Sequence, residues 1–152
     1  LWADVMDRYG TVKRLKNEEL ELGYRTSALE RRGLFAVRAA FSLTTGDPGA
    51  IREKMEELAA KRKEKQPLEY PSAGSTFKRP EGYFAGKLIE DAGLKGFSVG
   101  GAAVSEKHAG FVINKDHGTA ADILELCNEV KRRVKENSGV DLEMEVKLLG
   151  DF

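Results

Sequence analysis

Cysteine and histidine are scarce in this sequence. The single cysteine, Cys127, excludes a disulfide within one chain, and its place in the run ILELCNEV is typical of a small apolar helix residue. The two histidines are too few, and too isolated from cysteine, for the usual zinc patterns. We therefore expect no metal site.

Long apolar runs and a net charge are absent as well. No stretch approaches the ~20 apolar residues that a membrane span requires, so we expect no membrane partner. The 25 basic residues balance the 25 acidic ones, and nothing in the total charge favours nucleic acid as a partner. The first ten residues lack the basic-then-apolar order of a signal peptide, which favours a reducing cytoplasm. The sequence opens without methionine, within a predicted strand, so we expect that residues N-terminal to Leu1 are missing.

The first third of the chain predicts three strands. Residues 2–6 and 11–15 are extended runs on either side of an Asp-Arg-Tyr-Gly turn, and residues 35–43 alternate apolar side chains with others. Between them, Asn17 is predicted to cap a short helical turn, and residues 23–27 form a polar loop. This part has the pattern of a small sheet.

A break at residues 45–48 comes next. Asp47 as N-cap and Pro48 at the first helical position predict a helix over residues 48–64. Apolar residues recur along it at helical spacing, which predicts an amphipathic helix; they are Ile51, Met55, Leu58 and Ala59. Its basic end, residues 61–65, is either a solvated face or a binding patch.

The remainder predicts two helices and three strands. The Gly100–Gly101 pair inside one strand indicates a bulge or a close backbone approach. The helices are predicted over residues 83–92, closed by Gly93, and from Thr119 or Ala121 to Ser138, and the strands over residues 97–104, 111–114 and 140–149. The order predicts an α+β fold of mixed helices and antiparallel strands, with a boundary that separates residues 1–45 from residues 46–152.

One loop combines groups that can carry chemistry. Residues 70–80, YPSAGSTFKRP, offer a glycine for close backbone approach, two hydroxyls and two cations. These groups are Gly74, Ser75, Thr76, Lys78 and Arg79. The loop matches neither a Walker motif nor a Gly-x-Ser-x-Gly elbow. It can hold a phosphate or carboxylate beside a proton donor, and it also has the composition of an ordinary turn.

Two further places carry suitable charges. The guanidinium of Arg25 can grip a carboxylate at two points. Glu143 and Glu145 share one face of the last predicted strand, because side chains alternate along a strand. Taken alone, all three are also what an ordinary solvated surface would carry.

The combination and order of these motifs resemble the UDP-N-acetylenolpyruvoylglucosamine reductases. The resemblance covers nearly the whole chain, in the shorter form of the family, whose substrate domain lacks an inserted loop. It is carried by residues 22–27 (LGYRTS), 70–80, 83–114 and 139–150 (GVDLEMEVKLLG).

The resemblance implies a flavoenzyme of peptidoglycan precursor synthesis. NADPH reduces bound FAD, which then passes hydride to UDP-N-acetylenolpyruvoylglucosamine, and UDP-N-acetylmuramate is formed. It implies that Ser75 protonates the resulting enolate, that Arg25 faces the developing charge, and that Glu145 orients a group, a water or the intermediate. It also implies that Gly74 and Ser75 lie near the flavin ring.

Substrate contacts follow from the same resemblance. The implied contacts to the diphosphate or uridine are Lys78, Arg79, Lys95 and His108. Lys95 could equally be a surface residue after a helix-ending glycine, and His108 could simply complete a core turn. The sequence departs from the family at Met144, where proline is frequent, and at Arg79, where asparagine is frequent.

The resemblance makes residues 1–45 the closing part of an FAD-binding domain and residues 46–152 the substrate-binding domain. Most of the groups that hold FAD would lie in an N-terminal half of the same enzyme, so this chain alone would be inactive. Two other hypotheses remain open. One is a non-catalytic module that binds sugar nucleotides when isolated from the FAD domain, and the other is an interaction domain that uses the basic helix over residues 52–65.

Overall fold

A computed structural model describes residues 2–150 of the chain. Its backbone contacts divide it into two compact units, Leu1–Ile51 and Arg52–Phe152. Helices are combined with antiparallel sheets in both, which confirms the predicted α+β class. None of the helices within residues 2–150 combines the length and the apolar character that a bilayer crossing demands.

The first unit is a three-stranded antiparallel sheet. Its strands are β1 (Trp2–Met6), β2 (Val12–Lys16) and β3 (Phe35–Ala40), in the order β2-β1-β3. A short 3-10 helix, Asn17–Leu20, and the single-turn helix α1, Ala28–Arg31, connect β2 to β3. The core on one face consists of Ala3, Val5 and Leu15, with Leu20, Leu29 and Leu34 packed against it.

Two details of this unit differ from the sequence prediction. Lys16, not Asn17, is the N-cap of the 3-10 helix, because its N–H donates to the carboxylate of Glu19 at 2.8 Å. β3 ends at Ala40 instead of residue 43, since its pairing with β1 stops opposite Trp2. The alternating pattern runs on to residue 43, beyond the last residue of β3 that pairs with β1.

The helix α2, Pro48–Lys65, begins as predicted. The Asp47 carboxylate accepts from the Ala50 N–H at 2.7 Å, which satisfies one of the free donors at the helix start. Within α2, all of whose residues the structure describes, no side chain is buried. Ile51, Met55 and Leu58 are 50%, 66% and 54% exposed, and the apolar side chains of α2 are not concentrated on one face, so the prediction of an amphipathic helix is wrong.

The second unit is a four-stranded antiparallel sheet with a long helix against it. Its strands are β4 (Ser72–Ser75), β5 (Ser98–Val99), β6 (Ala102–Val104) and β7 (Phe111–Asn114), in the order β4-β7-β6-β5. The helices are α3 (Ala85–Asp91) and α4 (Ala120–Ser138). α4 contacts β5, β6 and β7, and its Leu126, Cys127, Val130 and Val134 enter the main core, as the periodicity predicted.

The ends of α4 are determined by local hydrogen bonds. The Thr119 hydroxyl accepts from the Asp122 N–H at 3.1 Å, and the Asp122 carboxylate accepts from the Thr119 N–H at 2.8 Å. This reciprocal capping box satisfies two donors at once. Gly139 ends the helix with φ +73°, a left-handed conformation that glycine adopts without strain.

Two strand predictions in this unit are wrong. Residues 97–104 are not one strand but the hairpin β5–β6, in which Val99 pairs with Ala102 across Gly100 and Gly101. A Gly-Gly pair supplies the turn of a two-residue hairpin, and Gly100 has the positive φ, +51°, that such a turn uses. Residues 140–149 form only an isolated bridge, Phe77 to Met144, instead of the predicted strand.

Candidate functional site

Ser75 lies at the end of β4, just after a bulge. β4 pairs with β7 so that Ser72 is opposite Ile113 and Ser75 is opposite Phe111, which leaves an extra residue on β4 between the two pairs. Gly74 lies in this bulge with φ +87°, and nothing lies within 4 Å of the place where a Cβ would be. Ser75 is exposed. The bulge therefore presents the hydroxyl-bearing residue beside an open stretch of backbone.

Thr76 anchors the chain directly after Ser75. It is 3% exposed, its N–H donates to the Gly110 carbonyl at 2.9 Å, and its Oγ1 accepts from the Val112 N–H at 2.9 Å. The exposed serine is thus followed by a residue whose hydrogen bonds attach it to β7.

The C-terminal segment is joined to the same place. Met144 is opposite Phe77, the Lys78 N–H donates to the Glu143 carbonyl at 2.8 Å, and the Glu145 N–H donates to the Thr76 carbonyl at 2.9 Å. Glu145 is partly buried. The structure therefore brings Glu145, at the end of the chain, to the residue that follows Ser75.

The two cations of the loop already have partners. The Lys78 ammonium forms an ion pair with Glu143 across the bridge. The Arg79 guanidinium lies over the Phe84 ring at 3.9 Å from its centroid, and its Nε donates to the Tyr83 carbonyl at 3.1 Å.

Lys95 and His108 are held differently. Lys95 is exposed, and its ammonium lies 3.2 Å from the Glu90 carboxylate. His108 Nδ1 accepts from the Gly110 N–H at 3.1 Å, so Nδ1 carries no proton and Nε2 is the donor. The ring also meets Phe111 edge-on at 4.9 Å. The Gly110 carbonyl also accepts from the Thr76 N–H, so the turn that contains His108 is hydrogen-bonded to the residue that follows Ser75.

Sequence reasoning did not single out Ser105, which organises the His108 turn. Ser105 is 1% exposed, and its Oγ accepts from the N–H groups of Lys107 and His108, both at 3.2 Å. The spacing Ser-x-x-His could have indicated it, because serine oxygens commonly accept from N–H groups two and three residues later.

A cleft borders this turn. Its volume is about 450 Å³ and its lining includes Tyr70, Ser105, Lys107 and Lys115. The volume lies within the range typical of small-molecule sites. A smaller and more apolar cavity of about 200 Å³ lies behind β4, lined by Thr76, Cys127 and Met144 among others, and burial there raises the pKa of the Cys127 thiol to about 11.

Arg25 belongs to the first unit. It lies in a two-residue turn between Gly23 and Thr26, whose N–H and carbonyl groups bond to each other at 3.0 and 3.4 Å. Its φ is +54°, uncommon for a residue with a side chain, and its guanidinium lies 5.8 Å from the Tyr24 ring centroid. Strained backbone of this kind is concentrated at functional sites, which makes this turn a candidate.

The residues present fit a flavin only in part. The open face at Gly74 would let a flat ring approach the backbone next to the Ser75 hydroxyl.

Among the residues that the structure describes, no group of three or more histidine, cysteine, aspartate or glutamate side chains could hold a metal ion.

Comparison with known proteins places the second unit in a family. A family model described as the C-terminal domain of UDP-N-acetylenolpyruvoylglucosamine reductase matches residues 66–149. Curated proteins of that name from Clostridium perfringens (strain SM101) and Lachnoclostridium phytofermentans are 56% and 58% identical to the chain over 148 and 149 residues. These matches include 97% and 98% of this chain but only 49% and 48% of those proteins.

A solved structure is similar as well. The crystal structure of UDP-N-acetylenolpyruvylglucosamine reductase (MurB) from Thermus caldophilus superposes with a TM-score of 0.80 at 37% identity. The match covers 96% of this chain and 51% of that one. The chain thus spans about half the length of the relatives that it matches.

Proposed function

Because the chain belongs to the UDP-N-acetylenolpyruvoylglucosamine reductase family, we propose that it is the substrate-handling half of such an enzyme. The whole protein would be an FAD-dependent oxidoreductase that uses NADPH to reduce UDP-N-acetylenolpyruvoylglucosamine to UDP-N-acetylmuramate for peptidoglycan. Residues 1–45 would close the FAD-binding domain, and residues 46–152 would form the substrate-binding domain. The N-terminal half would supply most of the groups that hold FAD.

The observation that carries the proposal is the backbone bond between the Glu145 segment and the residue that follows Ser75. Ser75 is an exposed hydroxyl residue after an open glycine, and the Glu145 N–H donates to the carbonyl of Thr76. Protonation of a carbon requires a positioned acid, and this bond brings a carboxylate residue to the segment that carries the serine.

In the proposed reaction, Ser75 and Glu145 handle the protons while the flavin supplies the hydride. Bound FAD, once reduced by NADPH, would supply hydride to the vinyl carbon remote from the ether oxygen. The electron pair of the double bond then becomes an enolate on the carboxylate side, and Ser75 gives its hydroxyl proton to the carbon beside that carboxylate. The new C–H bond forms as the serine O–H bond breaks, and solvent returns a proton to the serine oxygen. Glu145 orients the group that donates or receives these protons.

Arg25 would stabilise the charge that develops on the substrate carboxylate. A guanidinium is always protonated and offers paired donors in one plane, which match the two oxygens of a carboxylate. Donors fixed before the reaction lower the barrier because they favour the charge only as it forms. The two hydrogen bonds between Gly23 and Thr26 support this role, since they close the turn that carries Arg25.

The remaining side chains would bind the nucleotide. Lys78, Arg79 and Lys95 are cations suited to the diphosphate, and the His108 Nε2–H is a donor suited to a phosphate or uridine oxygen. Lys78 and Lys95 would exchange their present carboxylate partners, Glu143 and Glu90, for the ligand. Both of those carboxylates are exposed, so losing the partner leaves no buried charge behind.

The test is Ser75→Ala in the full-length enzyme that carries this sequence, with the two half-reactions followed separately by flavin absorbance in a stopped-flow instrument. Reduction of the flavin by NADPH should be nearly unchanged. Reoxidation by the enolpyruvyl substrate should slow by about 10²–10⁴-fold, the usual contribution of a general acid.

A matched control is Ser98→Ala, because Ser98 is an exposed serine at the start of another strand of the same sheet. Both half-reactions should be normal in that variant. A normal second half-reaction in Ser75→Ala would show that Ser75 is not the acid. If the unaltered enzyme failed to reduce the substrate at all, the proposed function itself would be wrong.

A further inference from the structure

Each polar backbone or side-chain group of Thr76 is hydrogen-bonded to a different residue. Its N–H donates to Gly110, in the His108 turn; its Oγ1 accepts from Val112, in β7; and its carbonyl accepts from Glu145, in the C-terminal segment. All three distances are 2.9 Å. This buried residue therefore holds both residues 110–112 and the C-terminal segment at the position next to Ser75.

The Thr76 hydroxyl supplies an acceptor for β7 next to the bulge. Ser72 pairs with Ile113 and Ser75 with Phe111, so Val112 lies opposite the two residues Ala73 and Gly74. The Val112 N–H donates to Thr76 Oγ1 at 2.9 Å. The hydroxyl thus bonds β7 to the residue directly after the bulge that exposes Ser75.

We propose that Thr76 is a positioning residue whose hydroxyl fixes the relative placement of Ser75 and Glu145. The inference rests on the proposed function, because it gives those two residues their roles. Thr76 acts through its neighbours: the bond from Val112 holds the peptide after Ser75 against β7, and the Thr76 carbonyl holds the Glu145 backbone. A shift of about 1 Å in a reacting group can slow an enzyme by about 10²-fold, so loss of this anchor is expected to be visible in the rate.

The informative variants are Thr76→Val and Thr76→Ser in the full-length enzyme. Valine has nearly the same shape as threonine but no acceptor, so the Val112 N–H loses the hydrogen bond to Thr76 Oγ1. Serine keeps the acceptor and loses only a methyl group. Thr119→Val is the matched control, since it also removes a threonine acceptor from a backbone N–H in the same unit, at the start of α4.

We expect NADPH to reduce the flavin normally in all of these variants. Thr76→Val should slow the second half-reaction about tenfold or more, mainly in its maximal rate, with the substrate concentration for half-maximal rate changed less than threefold. Thr76→Ser and Thr119→Val should remain within about twofold of the unaltered enzyme.

A double-mutant cycle separates positioning from general damage. If Thr76 acts by placing Ser75, then adding Thr76→Val to Ser75→Ala should slow the remaining second half-reaction by less than about twofold. An equal loss in both backgrounds would overturn the proposal, and so would an unchanged rate in Thr76→Val or an equally slow Thr76→Ser.

Flavin binding and a second variant serve as the controls for correct folding. If Thr76→Val does not bind flavin, Thr76→Ala replaces it, because the smaller side chain leaves room for a water to accept from Val112. Failure of both, with normal flavin binding in Thr119→Val, would mean that Thr76 supports the fold and not the site, which also overturns the proposal. An unaltered enzyme without a second half-reaction would refute the proposed function instead.

Discussion

The contact between Gly101 and Gly118 offers a sharp test of how closely the chain packs in the second unit. A Cβ added at Gly101 would lie 2.1 Å from the Asp116 carbonyl oxygen and 2.3 Å from the Gly118 nitrogen. Real Cβ atoms essentially never approach a heavy atom closer than 3.0 Å, so Gly101→Ala must push the two backbones apart by about 0.9 Å or more. Neither obstacle is a flexible side chain that could move away.

The expected magnitude follows from what that movement breaks. The Gly101 carbonyl accepts from the N–H groups of Lys115 and Asp116 at 2.9 and 3.0 Å. Each such bond contributes about 0.5–1.5 kcal/mol net, and the overpacking itself costs about 1–3 kcal/mol. We expect Gly101→Ala to destabilise the β5–β6 hairpin and its neighbour β7 by about 3 kcal/mol.

Hydrogen exchange followed by mass spectrometry measures this locally in the full-length protein. A loss of about 3 kcal/mol corresponds to exchange about 100-fold faster, at 1.4 kcal/mol for each factor of ten. We expect that acceleration in peptides from β6 and β7. Gly118→Ala should act at the same contact, so the double variant should lose less than the sum of the two single losses.

Gly93→Ala is the control, because Gly93 has φ +70° and nothing within 4 Å of the added Cβ. It should cost only the ~1–2 kcal/mol of a left-handed backbone. Gly101, in contrast, is not in the left-handed region. Acceleration of less than about tenfold in Gly101→Ala would refute the close packing.

Two further predictions concern titratable groups. Hydrogen bonds from Arg14 and Arg38 lower the pKa of Asp4 from 3.8 to about 2, so its stabilising contribution is complete above about pH 4 and is lost as the pH falls towards 2. In urea titrations followed by Trp2 emission, Asp4→Asn should therefore show a shallower loss of stability between pH 4 and 2, and an unchanged slope would contradict this. Because burial raises the pKa of Cys127 to about 11, the thiol should resist iodoacetamide at pH 8 until the protein unfolds; rapid labelling of the native protein would contradict its burial.

Helix boundaries were largely predictable from the sequence. Asp47 with Pro48, and Thr119 with Gly139, mark the starts of α2 and α4 and the end of α4 where the structure has them. The apolar face of α4 was predictable as well. Capping depends on side chains and N–H groups a few residues apart, so the information is local.

Strand ends and pairings were less predictable. The run over residues 97–104 alternates equally well as one strand or as two strands around Gly100–Gly101, and only the pairing of Val99 with Ala102 distinguishes them. In the same way, residues 140–149 have the alternation of a strand, but the segment opposite them supplies one bridge. Alternation shows which face a side chain takes, and it does not show whether a partner is there.

For the candidate site, the sequence alone determined the residue types: a glycine followed by a hydroxyl pair and two cations, with Arg25 and Glu145 far away along the chain. The roles of these residues remain proposals. Only the tertiary structure decided that the Glu145 N–H donates to the Thr76 carbonyl and that Lys78 pairs with Glu143. It also decided that Gly110, which bonds to His108, accepts from the Thr76 N–H. The physical reason is that such contacts join residues distant in sequence, and they depend on the register and the bulge between β4 and β7, which no local pattern specifies.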